Sequence, residues 1–335
     1  MNTPPLPDLE NDTQLPPGRP VELPESARSG RNTSQGYLPD PGLLDAFRVM
    51  LLLRRPLLIT GEPGTGKTQA ANYLSWKLGL GEKALRFDAK TTSSARDLFY
   101  NYNSIGRFHA AQTREGSQKS VDYIQFTALG TAILRAIPRE EVLDALPPGF
   151  EHQGPPAQSV VLIDEVDKAP RDFPNDLLNE LENMVFHIPE LGNRELRAEA
   201  KFQPLVILTS NSEKNLPSAF LRRCIFFHIP KPGKEQFARI LESRVGGLKA
   251  TDPLVEDILD LITFARSSDV ELNKRPATAE LIDFVLVLRS LGVNLDQRIK
   301  DIEPTVLASL CTLVKGEGDD KAELLKAWLR TQETS

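Results

Sequence analysis

The sequence has few of the residues that build disulfide frameworks, zinc sites or membrane spans. Its 335 residues include 2 cysteines and 4 histidines, so neither a disulfide framework nor a dedicated zinc site is expected. The longest unbroken apolar runs, 49–53 and 284–288, have five residues, whereas a membrane-spanning helix needs roughly 20. No basic stretch followed by an apolar one opens the chain, so no secretory signal is expected. We therefore expect a cytoplasmic protein that does not enter a membrane.

Positively charged residues are slightly fewer than negatively charged residues. Lys and Arg number 40 against 46 Asp and Glu, which gives a net charge of −6. This balance disfavours a protein held on nucleic acid by its overall charge, although it leaves room for a local basic patch. The chain is 40% hydrophobic and 26% charged, which is typical of a globular protein, and its length predicts about two domains.

Three regions differ in their residue patterns. Residues 1–36 are rich in proline and contain seven hydrophobic residues, too few to offset the entropy lost on folding. We predict a disordered tail there or, as the alternative, a segment that orders on a partner. In residues 37–231, short apolar runs alternate with helical patterns, which predicts an α/β core with a mostly parallel sheet between helices. Residues 232–335 contain amphipathic helical patterns and no convincing strand, which predicts a second, all-helical domain.

The regular elements of the core can be placed from the same patterns. The apolar runs that we predict as strands are 56–60, 84–87, 159–163, 204–208 and 225–228. The first helix should begin at Asp40 and Pro41, because proline is well tolerated where no amide donor is required. Further helical patterns cover 69–78, 127–136 and 173–181.

A glycine-rich segment, G-E-P-G-T-G-K-T, stands between the first predicted strand and a predicted helix. It fits the phosphate-loop pattern at every fixed position, and its residues are Gly61, Glu62, Pro63, Gly64, Thr65, Gly66, Lys67 and Thr68. Glycines let the backbone turn tightly and bring amide groups close to phosphate oxygens, and the helix N-terminus adds positive partial charge. We predict that Lys67 reaches the β- and γ-phosphates of ATP and that Thr68 ligates Mg²⁺.

Two adjacent acids, Asp164 and Glu165, end the buried run 160–163. Their functional interpretation is a division of labour. Asp164 would hold Mg²⁺ without binding it directly, either from outside the ring of direct ligands or through a water molecule. Glu165 would then polarise the attacking water, as a general base or by orienting it. The simpler alternative is a pair of solvated carboxylates at a strand end. Asp167 and Lys168 lie close by and are interpreted as parts of the local turn.

The fourth strand pattern ends in Thr-Ser-Asn, and two arginines stand before the fifth. Asn211 could hold the attacking water against the γ-phosphate, although without the first two motifs it would be read as a turn residue. Arg222 and Arg223 could be surface charges. In a nucleotide-driven ring, one such arginine reaches the γ-phosphate of the neighbouring subunit.

These elements, in this order, resemble an AAA+ ATPase across roughly residues 37–335. The segments 162–169 and 175–182, L-I-D-E-V-D-K-A and N-D-L-L-N-E-L-E, are similar to the MoxR-type branch of that family. The run 216–223, which ends in the arginine pair, is similar to the arginine-finger segment of the same branch.

The resemblance implies roles for the candidate residues. Asp164 and Glu165 would be the Walker B pair and Asn211 would be sensor 1. Arg223 aligns best with the arginine finger, and Arg222 is the substitute. The resemblance also implies a five-stranded sheet of order 5-1-4-3-2, a helical lid and a ring that is usually hexameric.

A MoxR-type protein would be a Mg²⁺-dependent ATPase that remodels or activates a protein partner, often one with a von Willebrand A domain. Such proteins carry two hairpin inserts, and residues 105–158 and 184–201 lie where the inserts belong. The resemblance makes a homo-oligomeric ring and a protein partner the expected associations, and nucleic acid an unexpected one.

Two segments depart from the family pattern or fit it ambiguously. No arginine stands at the best-aligned sensor 2 position, and the nearest candidate to bind nucleotide there is Arg275, with a plain helix-start charge as the alternative. Leu98, Phe99 and Tyr100 follow the second strand, where they could form an aromatic pore loop that grips polypeptide. A buried aromatic cluster explains them almost as well.

Two other functions remain as alternatives. The first is a nucleic-acid motor or loader of similar fold, McrB-like or clamp-loader-like, which the acidic balance and the lack of an added DNA-binding motif disfavour. The second is a nucleotide-gated scaffold with little turnover, which the intact Asp164–Glu165 pair disfavours. ATPase rates with and without DNA, across a salt series, and a steady-state phosphate-release assay would distinguish the three.

Overall fold

The computed structural model describes residues 34–113, 119–211, 216–267 and 270–333. The predicted tail lies outside these residues except for its last three. The described residues divide into two compact units, one within 37–233 and one that joins residues 34–36 with those from 234 onward. The first unit contains all the candidate site residues except Arg275.

The first unit is built on a parallel sheet. Its described strands are β1 (Leu57–Thr60), β2 (Leu85–Asp88), β3 (Tyr100–Tyr102), β4 (Ile124–Phe126), β5 (Val160–Asp164), β6 (Val185–Ile188), β7 (Arg194–Arg197), β8 (Leu205–Ser210) and β9 (Ile225–His228). Five of these described strands form one sheet in the order β2-β5-β8-β1-β9, and each neighbouring pair is parallel. Read from β9 and numbered along the chain, the order is 5-1-4-3-2, so the predicted fold and topology are confirmed.

The centre of the sheet is its most deeply buried part. β1, β5 and β8 are buried along their whole length, as expected of apolar strands covered on both faces. Successive side chains of a strand point to opposite faces, so Leu57 and Ile59 join one apolar cluster and Leu58 joins another. The edge strands β2 and β9 alternate between half-buried and exposed residues, which explains their mixed polar and apolar sequences.

Helices accompany the strands of this unit. They are α1 (Pro41–Leu53), α2 (Lys67–Lys77), α3 (Ser104–Thr113), α4 (Ala128–Arg135), α5 (Phe173–Asp176), α6 (Leu178–Asn183) and α7 (Ser218–Leu221). α1 begins where predicted: the Asp40 side chain accepts a hydrogen bond from the Gly42 N–H at 2.8 Å, and Pro41 stands at the first position. The helix predicted over 173–181 is divided at Leu177 into a pair, α5 and α6.

Two antiparallel strand pairs, β3 with β4 and β6 with β7, form separate small sheets. Along the chain they follow β2 and β5, respectively. The second pair is a hairpin inside the predicted insert 184–201.

Leu98, Phe99 and Tyr100 are 0%, 3% and 1% exposed, and the rings of Phe99 and Phe186 stack with centroids 4.8 Å apart. The aromatic segment is therefore a buried cluster, and its interpretation as a pore loop is wrong.

All the regular elements described in the second unit are helical, and none of its described residues lies in a strand. They are α8 (Lys234–Arg244), α9 (Pro253–Ala265), α10 (Thr278–Ser290), α11 (Glu303–Ser309) and α12 (Lys321–Glu333), with short 3₁₀ turns between them. Their apolar sides form a separate core that includes Phe284 and Trp328. The prediction of an all-helical region is thus confirmed. Across both units, none of the helices that the structure describes has the length and apolar character needed to cross a membrane.

Candidate functional site

The carboxyl ends of β1, β5 and β8 meet at one edge of the sheet, because the three strands are parallel neighbours. β1 ends at Thr60, which is paired with Ser210 at the end of β8, and β5 ends at Asp164. The phosphate loop, Glu165 and Asn211 follow these ends directly. The fold thus brings together three motifs that are far apart in the sequence.

The phosphate loop has a backbone that requires glycine. Gly61, Gly64 and Gly66 have φ angles of 149°, 79° and 91°, which residues with a side chain rarely adopt. A β-carbon on Gly66 would also lie 3.1 Å from the Tyr37 ring. Because Gly66 is the N-cap of α2, the loop presents the positive end of a helix dipole, which favours a bound anion.

Lys67 is buried at the start of α2, with 7% of the residue exposed. Its Nζ donates hydrogen bonds to Gly61 O at 2.8 Å, to Glu62 O at 3.0 Å and to Asn211 Oδ1 at 2.8 Å. Burial lowers the pKa of Lys67, because desolvation disfavours the ammonium, and the charge of Asp164 is the largest opposing influence. An ammonium that has lost hydration gains strongly from an anion beside it, so this position fits a phosphate group.

Asp164 is the centre of a connected polar group. The residue is 4% exposed, and its Oδ2 accepts a hydrogen bond from Thr68 Oγ1 at 2.9 Å. The same Oδ2 lies 3.0 Å from Arg86 Nη2, and Oδ1 accepts a hydrogen bond from the Thr209 hydroxyl. Thr68 and Asp164, the two residues predicted to hold Mg²⁺, are therefore in contact although they belong to different elements.

The chemistry of these two residues fits Mg²⁺. The ion prefers oxygen ligands and is commonly bound through one or two protein groups together with the phosphates of a nucleotide. The hydroxyl of Thr68 and the carboxylate of Asp164 are ligands of that kind. In the described part of the chain, no group of three or more His, Cys, Asp or Glu residues is arranged to hold a metal.

Glu165 has a left-handed backbone, with φ 56° and ψ 47°, which is uncommon for a residue with a side chain. Its N–H donates to Thr209 Oγ1 at 2.9 Å, and its carboxylate accepts a hydrogen bond from Lys168 Nζ at 2.5 Å. That hydrogen bond raises the pKa of Lys168. Asp167 Oδ1 accepts a hydrogen bond from the Asn211 N–H at 3.3 Å. Asp167 and Lys168 thus make contacts within and next to the turn that carries Glu165.

Sequence reasoning missed two residues of this group, Thr209 and Arg86. Thr209 is bonded to both members of the acidic pair. A signal for it exists in the sequence, since it is the first polar residue after the apolar run 205–208. Arg86 lies on the neighbouring strand β2, and no local pattern marks it.

We expect Thr209→Val to lower the free energy of unfolding by about 1–3 kcal/mol, because the apolar side chain leaves the Glu165 N–H and an Asp164 oxygen without that buried partner. Urea unfolding followed by circular dichroism measures the change. Thr209→Ser keeps the hydroxyl and is the matched control. Equal unfolding midpoints for the two variants would show that the hydroxyl contributes nothing.

Arg222 and Arg223 lie near the amino ends of the strands, at the end of the sheet opposite the phosphate loop. They stand between α7 and β9, and β9 begins with Ile225, which is paired with Leu57 at the start of β1. The four residues of β1 separate this point from the phosphate loop by about 13 Å, at roughly 3.3 Å per residue. The structure therefore does not bring either arginine to Lys67 of the same chain.

Arg275, the candidate for sensor 2, belongs to the helical unit. It is exposed and lies three residues before the start of α10. Its contact with a nucleotide stays a prediction.

Comparison with known proteins gives the family. Residues 56–224 match the family described as AAA domain (dynein-related subfamily). The chain belongs to this AAA family. The matched segment extends from just before β1 to just before β9, and it contains the phosphate loop, the acidic pair, Asn211 and both arginines.

Curated relatives of this AAA chain include two bacterial proteins. CD-NTase-associated protein 6 of Pseudomonas aeruginosa is 26% identical over 209 residues, which cover 62% of this chain and 58% of the relative. The uncharacterized protein YehL of Escherichia coli (strain K12) is 24% identical over 243 residues, which cover 70% of this chain and 58% of the relative. The chain thus spans little more than half the length of these relatives.

Solved structures similar to the AAA chain include domain III of the replication initiation protein DnaA from Thermotoga maritima. The TM-score is 0.40 at 13% identity, and the match covers 83% of this chain and 98% of that one. A RuvB variant from the same organism has a TM-score of 0.46 at 13% identity, with 83% of this chain and 72% of that one covered. These values describe a distant likeness.

Proposed function

We propose that this AAA protein is a cytoplasmic, Mg²⁺-dependent ATPase that converts ATP and water to ADP and phosphate. The observation that carries the proposal is the connected group at the carboxyl edge of the sheet, where Lys67 bonds Asn211 and Thr68 bonds Asp164. A lysine, a hydroxyl, a carboxylate and a water-placing group are the parts that phosphoryl transfer to water needs in one place. Membership of the AAA family supports the same reaction.

Each residue has a distinct task in the proposed attack of water on the γ-phosphate. Lys67 binds the phosphates and offsets their charge, and Thr68 and Asp164 would hold Mg²⁺, which supplies further charge neutralisation when bound. Glu165 orients or deprotonates the water, and Asn211 helps to place it. Because the Asn211 amide oxygen accepts a hydrogen bond from Lys67 at 2.8 Å, the water-placing residue and the phosphate-binding residue are directly linked.

We propose further that the protein acts as a homo-oligomeric ring, hexameric as the MoxR-type resemblance implies. The position of Arg222 and Arg223 supports this arrangement, since both stand before β9, whose start is one length of β1, about 13 Å, from the phosphate loop of their own chain. At that edge they would face the nucleotide of a neighbouring subunit, where the planar fork of a guanidinium suits the charge of a transferring phosphoryl group. Arg223 is the proposed finger, and Arg222 is the substitute.

The proposed work of the ring is to remodel or activate a protein partner, with von Willebrand A domain proteins as the first class to test. The MoxR-type resemblance supports a protein partner, and the net charge of −6 disfavours nucleic acid. The name of the Pseudomonas aeruginosa relative describes association with another protein. Arg275 is kept as the proposed sensor 2 residue of the helical unit.

The decisive experiment for nucleotide binding is Lys67→Ala. A hydrogen bond to a charged group contributes about 1.5–3 kcal/mol, so we expect the affinity for Mg²⁺-ATP to fall about 100-fold. Isothermal titration calorimetry of the full chain measures this. Lys77→Ala, on the exposed side of the same helix, is the matched control and should bind as the wild type does. A wild-type chain that takes up no ATP would refute the proposal.

A further inference from the structure

The segment that carries Arg222 and Arg223 is held through its backbone from two sides. The Arg222 N–H donates to Ser218 O at 3.1 Å and the Arg223 N–H donates to Phe220 O at 3.0 Å, so these groups complete the last turn of α7. The carbonyl groups of the two arginines instead accept hydrogen bonds from Arg55. Its Nε donates to Arg223 O at 3.0 Å, and its Nη2 donates to Arg222 O. One side chain therefore fixes two successive peptide groups.

A guanidinium suits this position for two physical reasons. The end of a helix leaves carbonyl groups without intrahelical partners, and a cation there interacts favourably with them. Arginine also presents its N–H donors in one rigid plane, so it can bind two neighbouring carbonyl oxygens at once. Lysine carries its charge as a compact ammonium and cannot reproduce that two-point contact.

Arg55 is itself rigidly placed between α1 and β1. Arg54 closes α1 in a left-handed conformation, with φ 53° and its N–H bonded to Met50 O at 2.9 Å, and Pro56 restricts the backbone on the other side. Pro56 O accepts a hydrogen bond from the Ile225 N–H at 2.8 Å. Because this backbone contact between Pro56 and the start of β9 does not involve the Arg55 side chain, removal of the side chain should release the arginine segment and leave the sheet intact.

The Arg223 side chain has a weaker tether of its own. Its Nε lies 3.7 Å from Glu182 Oε2, and the two side chains are 52% and 68% exposed, so this ion pair contributes little. A cavity of about 410 Å³, bordered by Arg55, Glu182 and Arg223 among others, leaves the side chain room to turn. The direction of Arg223 is therefore set mainly where it leaves the backbone.

We propose that Arg55 is a positioning residue for the arginine finger. By binding the carbonyl groups of Arg222 and Arg223, it directs their side chains towards the nucleotide of the neighbouring subunit. The inference rests on the proposed function, since it presupposes a finger that acts on a neighbour. It has a distinctive consequence: Arg55 lies on the chain just before the strand that leads to Gly61, yet it serves hydrolysis in the next subunit and not nucleotide binding in its own.

The first test compares Arg55→Ala with Arg54→Ala in the full chain. A misplacement of about 1 Å can cost about 100-fold in rate, so we expect kcat of Arg55→Ala to fall by about that factor with KM for ATP unchanged. Arg55→Lys keeps the charge without the two-point contact and should lose part of the rate. Arg54→Ala removes a neighbouring positive charge and should keep the wild-type rate. Equal rates for Arg55→Ala and Arg54→Ala would overturn the inference.

The second test locates the defect by mixing subunits. An Arg55→Ala subunit has a sound nucleotide site and a misplaced finger, whereas a Glu165→Gln subunit has a disabled site and a sound finger. We expect the mixture to be more active than either variant alone, because intact fingers then face intact sites. A mixture that stays as inactive as its components would place the defect in the site of the Arg55→Ala subunit and overturn the inference. Unfolding midpoints and ATP-dependent assembly, measured on each variant, verify that the subunits fold and associate.

Arg223→Ala, assayed alongside, separates this inference from the proposed function. If neither Arg223→Ala nor Arg222→Ala lowers the rate, there is no finger at this position. The proposed finger and the proposed role of Arg55 then both fail. If Arg223→Ala is inactive while Arg55→Ala keeps the wild-type rate, the proposed finger stands and only the role of Arg55 is refuted.

Discussion

Replacing Glu165 by glutamine is expected to lower kcat about 1000-fold while ATP remains bound. General acid–base assistance contributes about 100- to 10,000-fold to such reactions, and glutamine has nearly the same shape but cannot accept the proton. The contacts that would bind the nucleotide involve Lys67 and Thr68, and the change does not touch them. The backbone bond from Glu165 to Thr209 should also survive. Steady-state phosphate release and calorimetric ATP binding, measured on the same preparation, test both halves of the expectation.

The control for this prediction is Glu140→Gln, which makes the same substitution at an exposed position outside the site. It should bind and hydrolyse ATP as the wild type does. Normal turnover by Glu165→Gln would contradict the assignment of the water-activating group. Loss of ATP binding by Glu165→Gln would instead indicate that this residue helps to hold the nucleotide.

The parts of the site that the sequence predicts are those whose partners are local. The phosphate loop is a continuous segment, and the glycines at 61, 64 and 66 are required by their own positive φ angles. Apolar runs of four or five residues identify the central strands because these strands are buried on both faces. Once β1, β5 and β8 are known to be parallel neighbours, the meeting of Lys67, Asp164 and Asn211 follows from the geometry of a parallel sheet.

The residues that were missed act on partners that are remote in the sequence. Arg55 reaches carbonyl groups 167 and 168 positions away, and Thr209 bonds Asp164 across 45 positions. No spacing or composition marks Arg55, and the position of Thr209 after the apolar run 205–208 does not reveal its partner, because both roles depend on which strands are adjacent. The pore-loop interpretation of Phe99 and Tyr100 is wrong for a related reason. These rings are covered by Phe186 of a hairpin about 90 residues later, and only the folded chain shows that cover.

Replacing Arg223 by alanine is expected to lower kcat about 1000-fold, because an arginine finger contributes about 10³- to 10⁵-fold to phosphoryl transfer. ATP binding should be unchanged, since Arg223 stands before β9, at the end of the sheet opposite the phosphate loop of its own chain. For the wild type, the same geometry predicts that activity per subunit falls on dilution, as sites lose the neighbour that completes them. Phosphate release across a protein concentration series, with the assembly state followed by analytical ultracentrifugation, measures this.

Mixing Arg223→Ala with Lys67→Ala separates a finger that acts on a neighbour from one that acts within its own chain. The Lys67→Ala subunit cannot bind ATP well but carries an intact Arg223, so it should restore turnover at the sound site of an Arg223→Ala subunit. Arg222→Ala is the matched control, because it removes the adjacent guanidinium, which is also exposed. Full activity of Arg223→Ala together with an inactive Arg222→Ala would transfer the role to Arg222. Activity per subunit that stays constant on dilution to a proven monomer would contradict a shared site altogether, since each chain would then complete its own chemistry.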